Sequence, residues 1–177
     1  LLGFVLSTRA FGLSYEPFTW TTFANVYGYQ LSSFTAYVDG TYVYGNIDGS
    51  GVPVTLRLKR GGAVISEVAV TSESYGYFNA YFDKPIRGGD VIEVSMPNTS
   101  TISIDVTPLS LDIDKAKDDV TGTAAPNSSV EVYVYSWPAG SHWLYPTTDG
   151  SGAFTADFTG LLDILLGAEV DLTYRNP

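Results

Sequence analysis

One histidine and no cysteine limit the chemistry open to this 177-residue chain. His142 stands in SWPAGSHWLYP, beside Ser141 and upstream of Asp149. A Ser-His-Asp arrangement needs a nucleophile, a base and an acid that orients it. No G-x-S-x-G turn presents a serine here. Without a second His or any thiol, no His-based metal site or zinc thiolate site has a ligand set. The reading is a loop imidazole in a non-enzyme, with no catalytic residues and no organic cofactor.

Carboxylates are the second possibility. Asp112, Asp114, Asp118 and Asp119 form the densest cluster, in LDIDKAKDD. Paired carboxylates could serve glycoside hydrolysis, and several together could hold Ca²⁺. The stretch lacks the Gly-containing loop of an EF-hand, and Lys115 and Lys117 lower its charge. It therefore reads as a solvated acidic linker, with Ca²⁺ as the sharper alternative. Asp48 and Asp149, each in an Asp-Gly turn, are weaker Ca²⁺ candidates.

Aromatics are the third. Trp137, Trp143 and Tyr145 flank a Pro-Ala-Gly turn and could stack on a sugar ring or a partner. The competing reading buries at least one of the tryptophans, as sandwich cores commonly do. Tyr42 and Tyr44, Tyr75 and Tyr77, and Tyr133 and Tyr135 are i, i+2 pairs. They suit either an outer sheet face or a protein interface.

The elements that must carry these residues are strands. Val52, Val54, Leu56 and Leu58 alternate with polar residues or Pro, as do Val130, Val132 and Val134, and Phe154, Ala156 and Phe158. Asp39-Gly40, Asp48-Gly49, Gly61-Gly62, Gly88-Gly89, Pro126-Asn127 and Asp149-Gly150 punctuate the runs as turns. Eighteen Gly and nine Pro leave little room for helix beyond one turn in GLLDILLG at 160–167. Apolar residues make up 45 %, enough for real cores. No stretch approaches a transmembrane length. With nine basic against nineteen acidic residues the net charge is −10. That argues against nucleic acid and anionic lipid as partners.

The chain also repeats itself. VYGN at 43–46 matches VTGT at 120–123, and VPVTL at 52–56 matches VEVYV at 130–134. TSESYGYFNAYF at 71–82 matches TTDGSGAFTADF at 147–158, and IRGGDVIEVSM at 86–96 matches ILLGAEVDLTY at 164–174. The order is kept and the offset stays at 76 to 78 residues. The expected fold is all-β, two tandem antiparallel β-sandwich domains preceded by an apolar N-terminal strand. Boundaries are expected at 1–12 for that strand, 13–106 for the first sandwich, 107–119 for an acidic linker and 120–177 for the second sandwich. T-x-x-x-x-G-x-F-x-A-x-F reads as a hairpin whose Phe pair enters the core. Val54, Leu56, Phe78 and Phe82 should be buried in the first sandwich, and Val132, Val134, Phe154 and Phe158 in the second. Residues 1–40 lie outside the repeat, and SSFTAYVDGTYVYG reads as a hairpin turning at Asp39-Gly40.

VTGTAAPNSSVEVYV, TTDGSGAFTADF and GAEVDLTYRNP together resemble the Ig-like repeats of large bacterial surface and secreted proteins. The resemblance covers about residues 40–177. Ala168-Glu169 departs from the Gly-Asp pair that Gly89-Asp90 suggests. The resemblance implies an Ig-like fold, an extracellular or cell-surface setting and a role in stalks, adhesins or fibres. It brings no catalytic residues.

The opening LLGFVLS raises a separate expectation. Alternation places Leu2, Phe4 and Leu6 on one face, which a groove in a neighbouring subunit could bury. The chain would then be a self-assembling, pilus-like filament subunit whose partners are copies of itself. The competing readings are an ordinary first strand of the first sandwich and, for function, a stalk or adhesin segment. Such a segment would bind a surface glycan or a protein through loop aromatics.

Overall fold

The computed structural model describes residues 4–11 and 29–176, with 4–11, 175 and 176 as main chain. Leu2 lies outside the described residues. Fourteen strands and one 3₁₀ turn, Ser74–Gly76, make up the described structure.

In chain order the strands are β1 (Phe4–Phe11), β2 (Leu31–Ala36), β3 (Tyr42–Ile47), β4 (Pro53–Arg60) and β5 (Ala63–Thr71). There follow β6 (Tyr77–Tyr81), β7 (Val91–Ser95), β8 (Ile102–Asp105), β9 (Ser110–Asp114) and β10 (Asp119–Thr123). The last four are β11 (Val130–Ser136), β12 (Gly140–Leu144), β13 (Ala153–Asp157) and β14 (Glu169–Asn176). They form four antiparallel sheets, ordered β2-β3-β6, β5-β4-β7-β8, β9-β10-β13 and β1-β14-β11-β12. The first two make one β-sandwich unit and the last two a second.

Alternation sets the register. Val54, Leu56, Phe78 and Phe82 are buried, as are Val132, Val134, Phe154 and Phe158. A one-residue slip would turn each strand's set to solvent. The repeated glycines have a steric cause. Gly45 and Gly122 each lie under a ring of the facing strand. A Cβ at Gly45 would meet the Ser33 carbonyl oxygen at 2.4 Å and the Phe78 ring at 2.8 Å. At Gly122 it would meet Ser110 at 2.1 Å and Phe154 at 2.8 Å. Gly76 and Gly152 have φ of 79° and 88°, and a Cβ there would meet the carbonyl oxygens of Ile47 at 1.7 Å and Ala124 at 2.3 Å. Only glycine suits both demands.

Four expectations are corrected. First, T-x-x-x-x-G-x-F is not a hairpin. β5 and β6 belong to different sheets, as do β12 and β13, so the segment carries the chain across the sandwich. Second, the stretch expected to be an acidic linker contains β9, paired along its length with β10. Leu111 and Ile113 pack on the core while Asp112 is exposed, so the acidic residues ride on a strand. Third, the repeat reaches upstream of residue 40. β2 stands to β3 as β9 stands to β10, and the β2–β3 hairpin turns at Asp39, φ 64°.

Fourth, β1 is not the first strand of the first sandwich. It pairs antiparallel with β14 over eight residues, from Phe4 opposite Asn176 to Phe11 opposite Glu169. The register sets Leu6, Thr8 and Ala10 opposite the buried Tyr174, Leu172 and Val170.

Candidate functional site

The fold repeats, so each unit is a control for the other. In the first unit the outer face of β5-β4-β7 is polar and ion-paired. Arg57 Nε donates to Glu67 at 2.5 Å, and Lys59 Nζ to Glu93 at 2.7 Å. Thr55 lies opposite Ala69. The same sheet positions in the second unit are aromatic. Tyr133 lies opposite Trp143, with ring centroids 4.6 Å apart and planes tilted by 35°. Tyr135 stands where Arg57 does, and Trp137, at the sequence place of Lys59, lies in the turn after β11. Asp171 and Glu169 follow on β14, opposite Tyr133 and Tyr135.

These aromatics face solvent. Trp137 is 76 % exposed, Tyr145 64 % and Trp143 49 %. The expectation that a core would bury at least one of Trp137 and Trp143 is therefore wrong for both. Ser136 occupies the core position at the end of β11, and Trp137 follows it in the exposed turn to β12. Tyr133 and Tyr135 join the face as well. Their i, i+2 spacing was visible in the sequence, but the cross-strand register that sets Tyr133 beside Trp143 was not.

A second aromatic group covers the outer face of β2-β3-β6. Tyr42 packs against Tyr81 at 4.8 Å and against Tyr37 and Tyr44 at 5.8 Å. The Tyr42 and Tyr77 hydroxyls share a hydrogen bond at 3.1 Å. Burial, then the Tyr77 hydrogen bond and the neighbouring phenols, push the Tyr42 hydroxyl far above the ordinary tyrosine range. Burial also raises Tyr44. Tyr42, Tyr44 and Tyr77 are half-buried among these rings, while Tyr81 at the edge of the group is exposed.

The acidic candidates are drawn into separate local tasks. Asp114 pairs with Lys117 at 2.7 Å and accepts the Ala116 N–H, and the Lys117 bond holds its carboxyl below the usual range. Asp118, at φ 56°, accepts the Ile164 N–H at 2.8 Å and so pins the loop before β14. Asp112 is exposed on β9, and Asp119 starts β10 opposite Asp114. Among the described residues no three His, Cys, Asp or Glu side chains gather as a metal-holding group. Asp149 accepts Ser151 Oγ at 2.6 Å, Ser151 N at 2.7 Å and Ala153 N at 3.0 Å. The Ser151 hydroxyl leads in lowering its pKa. Asp48 accepts the Gln30 N–H.

His142 is on strand β12 rather than in the loop expected of it. It lies opposite Val134 and meets the core residue Phe158 edge-on at 6.4 Å. Asp149 is occupied by its own turn, so Ser141, His142 and Asp149 do not converge as a triad.

No family model matches the chain, and no curated protein matches it. A solved structure described as a tetra-tandem repeat in the extending region of a large adhesion protein is similar at 17 % identity and a TM-score of 0.31. The match covers 90 % of this chain and 60 % of that one.

Proposed function

We propose that this chain is a non-enzymatic, cell-surface structural segment, a tandem β-sandwich stalk that presents the β11–β12 face as an adhesive site for a surface glycan. The observation that carries the reading is the contrast between equivalent positions. Thr55, Arg57, Lys59 and Ala69 satisfy the scaffold in one unit, so Tyr133, Tyr135, Trp137 and Trp143 are not demanded by the fold. Aromatics with an apolar body and a polar rim give a sugar ring a flat surface and hydrogen-bonding edges.

Titration with methyl glycosides and short oligosaccharides, read by tryptophan fluorescence and calorimetry, tests the reading. Saturable binding lost in Trp137→Ala/Trp143→Ala is the expected result. No binding of any saccharide, or binding indifferent to both substitutions, overturns it.

A further inference from the structure

Sulfur side chains ordinarily take oxidation first. This chain has no cysteine and a single methionine, against thirteen tyrosines. That methionine, Met96, is buried. The phenols, in contrast, are gathered. Tyr37, Tyr42, Tyr44, Tyr77 and Tyr81 share the outer face of β2-β3-β6, each ring centroid within 6.2 Å of another. Tyr42 on β3 lies directly opposite Tyr81 on β6. Their centroids are 4.8 Å apart and their planes tilted by 35°. Facing ring edges at that separation are near carbon–carbon contact. At the matching place of the second unit, Asp119 lies opposite Asp157. The sheet folds there with two carboxylates in place of two phenols, so the fold does not demand the tyrosine pair.

We propose that Tyr42 and Tyr81 form a modification site, joined under oxidation by peroxide into a dityrosine that ties β3 to β6. Each phenol gives up one electron and its proton. The two phenoxyl radicals bond through ring carbons ortho to the oxygens. Each of those carbons then sheds its hydrogen as a proton, and each oxygen takes a proton up. In sum, two phenols and one hydrogen peroxide give one biphenol and two waters, the peroxide being reduced. Tyr81, 66 % exposed, is the point of entry. A first oxidation there is passed to half-buried Tyr42 across the ring contact, and a second at Tyr81 leaves two radicals side by side. The Tyr77 hydroxyl, 3.1 Å from that of Tyr42, gives the phenolic proton an outlet. Tyr133 and Trp143 are as close, at 4.6 Å, but with one phenol between them they cannot make this product. The new bond closes the chain between residues 42 and 81, the kind of constraint that a disulfide supplies where cysteine is present.

Treatment of the dilute protein with hydrogen peroxide and a haem peroxidase tests the proposal. The expected product is a monomer lighter by two hydrogens, with dityrosine fluorescence and a tryptic cross-link between the peptides holding Tyr42 and Tyr81. The thermal midpoint of the first unit should rise by several degrees. Tyr81→Phe, at an exposed position, should fold and give at least several-fold less of this product. Tyr75→Phe, which removes a phenol that is 99 % exposed, should leave the yield unchanged. Coupling found only between chains overturns the proposal, as does oxygen added at Trp137 or Trp143 with no loss of hydrogen. So does a cross-link within the chain that survives Tyr81→Phe. None of these failures touches the glycan reading, which depends on Trp137 and Trp143.

Discussion

Thr55 faces Ala69 across β4 and β5, and at the corresponding places of the second unit Tyr133 faces Trp143. On the opposite sheets the contrast reverses. Tyr42, Tyr44, Tyr77 and Tyr81 cover the first unit, while Asp119, Thr121, Ala153 and Asp157 take those places in the second. Interior positions, in contrast, are kept: Val54 and Val132, Leu56 and Val134, Phe78 and Phe154, Phe82 and Phe158 are all buried. Duplication has preserved what fills the core and freed what faces outward. Ion pairs half-exposed to water contribute little to stability. The Arg57–Glu67 and Lys59–Glu93 pairs can thus be exchanged for aromatics without losing the fold. Difference between the units is therefore the guide to function, and sameness the guide to folding.

The largest effects should fall where the units agree. Gly76→Ala would place a Cβ 1.7 Å from the Ile47 carbonyl oxygen at a φ of 79°. Strain and overpacking together should cost on the order of 3 kcal/mol or more. Gly152→Ala should act alike in the second unit, and urea unfolding of both variants measures it. A loss below ~1 kcal/mol would mean that the crossing segment can move aside, contrary to a shared steric cause.

A smaller effect should fall on one unit only. Asp90 is 2 % exposed and takes Arg60 in a fork, Nε to Oδ1 and Nη2 to Oδ2, each at 2.8 Å. It also accepts the Arg87 N–H at 2.8 Å. Ala168 occupies its place in the second unit, where Ser136 Oγ accepts the Leu165 N–H at 2.9 Å instead. The pairing expected between Gly89-Asp90 and Ala168-Glu169 is thus off by one, since Gly89 and Gly167 share the left-handed turn, φ 85° and 90°. Asp90→Ala strands the Arg87 N–H and the guanidinium, at a cost of about 1–3 kcal/mol. Burial raises the Asp90 pKa, but the Arg60 and Arg87 hydrogen bonds outweigh it and the folded value lies below 3.8. A depressed carboxyl stabilises the fold above its unfolded pKa, and that stability goes as pH falls through the folded value. The stability difference between the native chain and Asp90→Ala should therefore shrink as pH drops below about 4. A difference that stays the same from about pH 6 down to about pH 2 would remove the carboxylate from the account.

The tyrosine face gives the matching alkaline test. Tyr42 has its pKa raised above 10.0, chiefly by burial. A raised pKa stabilises the folded state below the unfolded value, and the contribution is lost as pH rises through the folded one. Phenolate absorbance should therefore lag in the first unit above pH ~10 and then rise with unfolding. In Tyr42→Phe the lag should shorten. An unchanged titration in that variant would mean that Tyr42 is not the late-titrating phenol of the first unit.

How much of this was legible in the sequence follows from the same physics. Val54, Phe78, Val132 and Phe154 could be placed because period-two alternation is local. β9 was hidden because Asp112 and Asp114 are poor strand formers in isolation. Leu111 and Ile113 between them already carried the alternation. Trp143 was misjudged because aromatic size was read as burial. Its exposure is decided by Val134 and Val132 holding the inward places on the paired strand, a non-local fact. The partner of β1 was equally out of reach, since no local pattern in FVLSTRAF specifies β14.

The smallest effect on stability should accompany the largest on binding. Trp143 keeps roughly half its surface in water, and Trp137 more. Truncating Trp137 removes little packed area, so its stability should shift by no more than about 0.5 kcal/mol. Trp143→Ala also loses the contact with Tyr133, worth about 0.5–1.5 kcal/mol beyond area burial. The two variants should therefore separate in thermal unfolding while both weaken glycan binding. The reciprocal exchange sharpens this further. Thr55→Tyr/Ala69→Trp rebuilds the Tyr133–Trp143 pair on the first unit, where the register already sets the two positions opposite. Folding should survive, because both sites face outward on paired strands. If that variant gains a second saccharide stoichiometry, the aromatic pair alone is the adhesive element. If it folds but gains none, the ligand is held by what only the second unit adds: the Trp137 tip, Tyr145, and the carboxylates of Asp171 and Glu169 on β14.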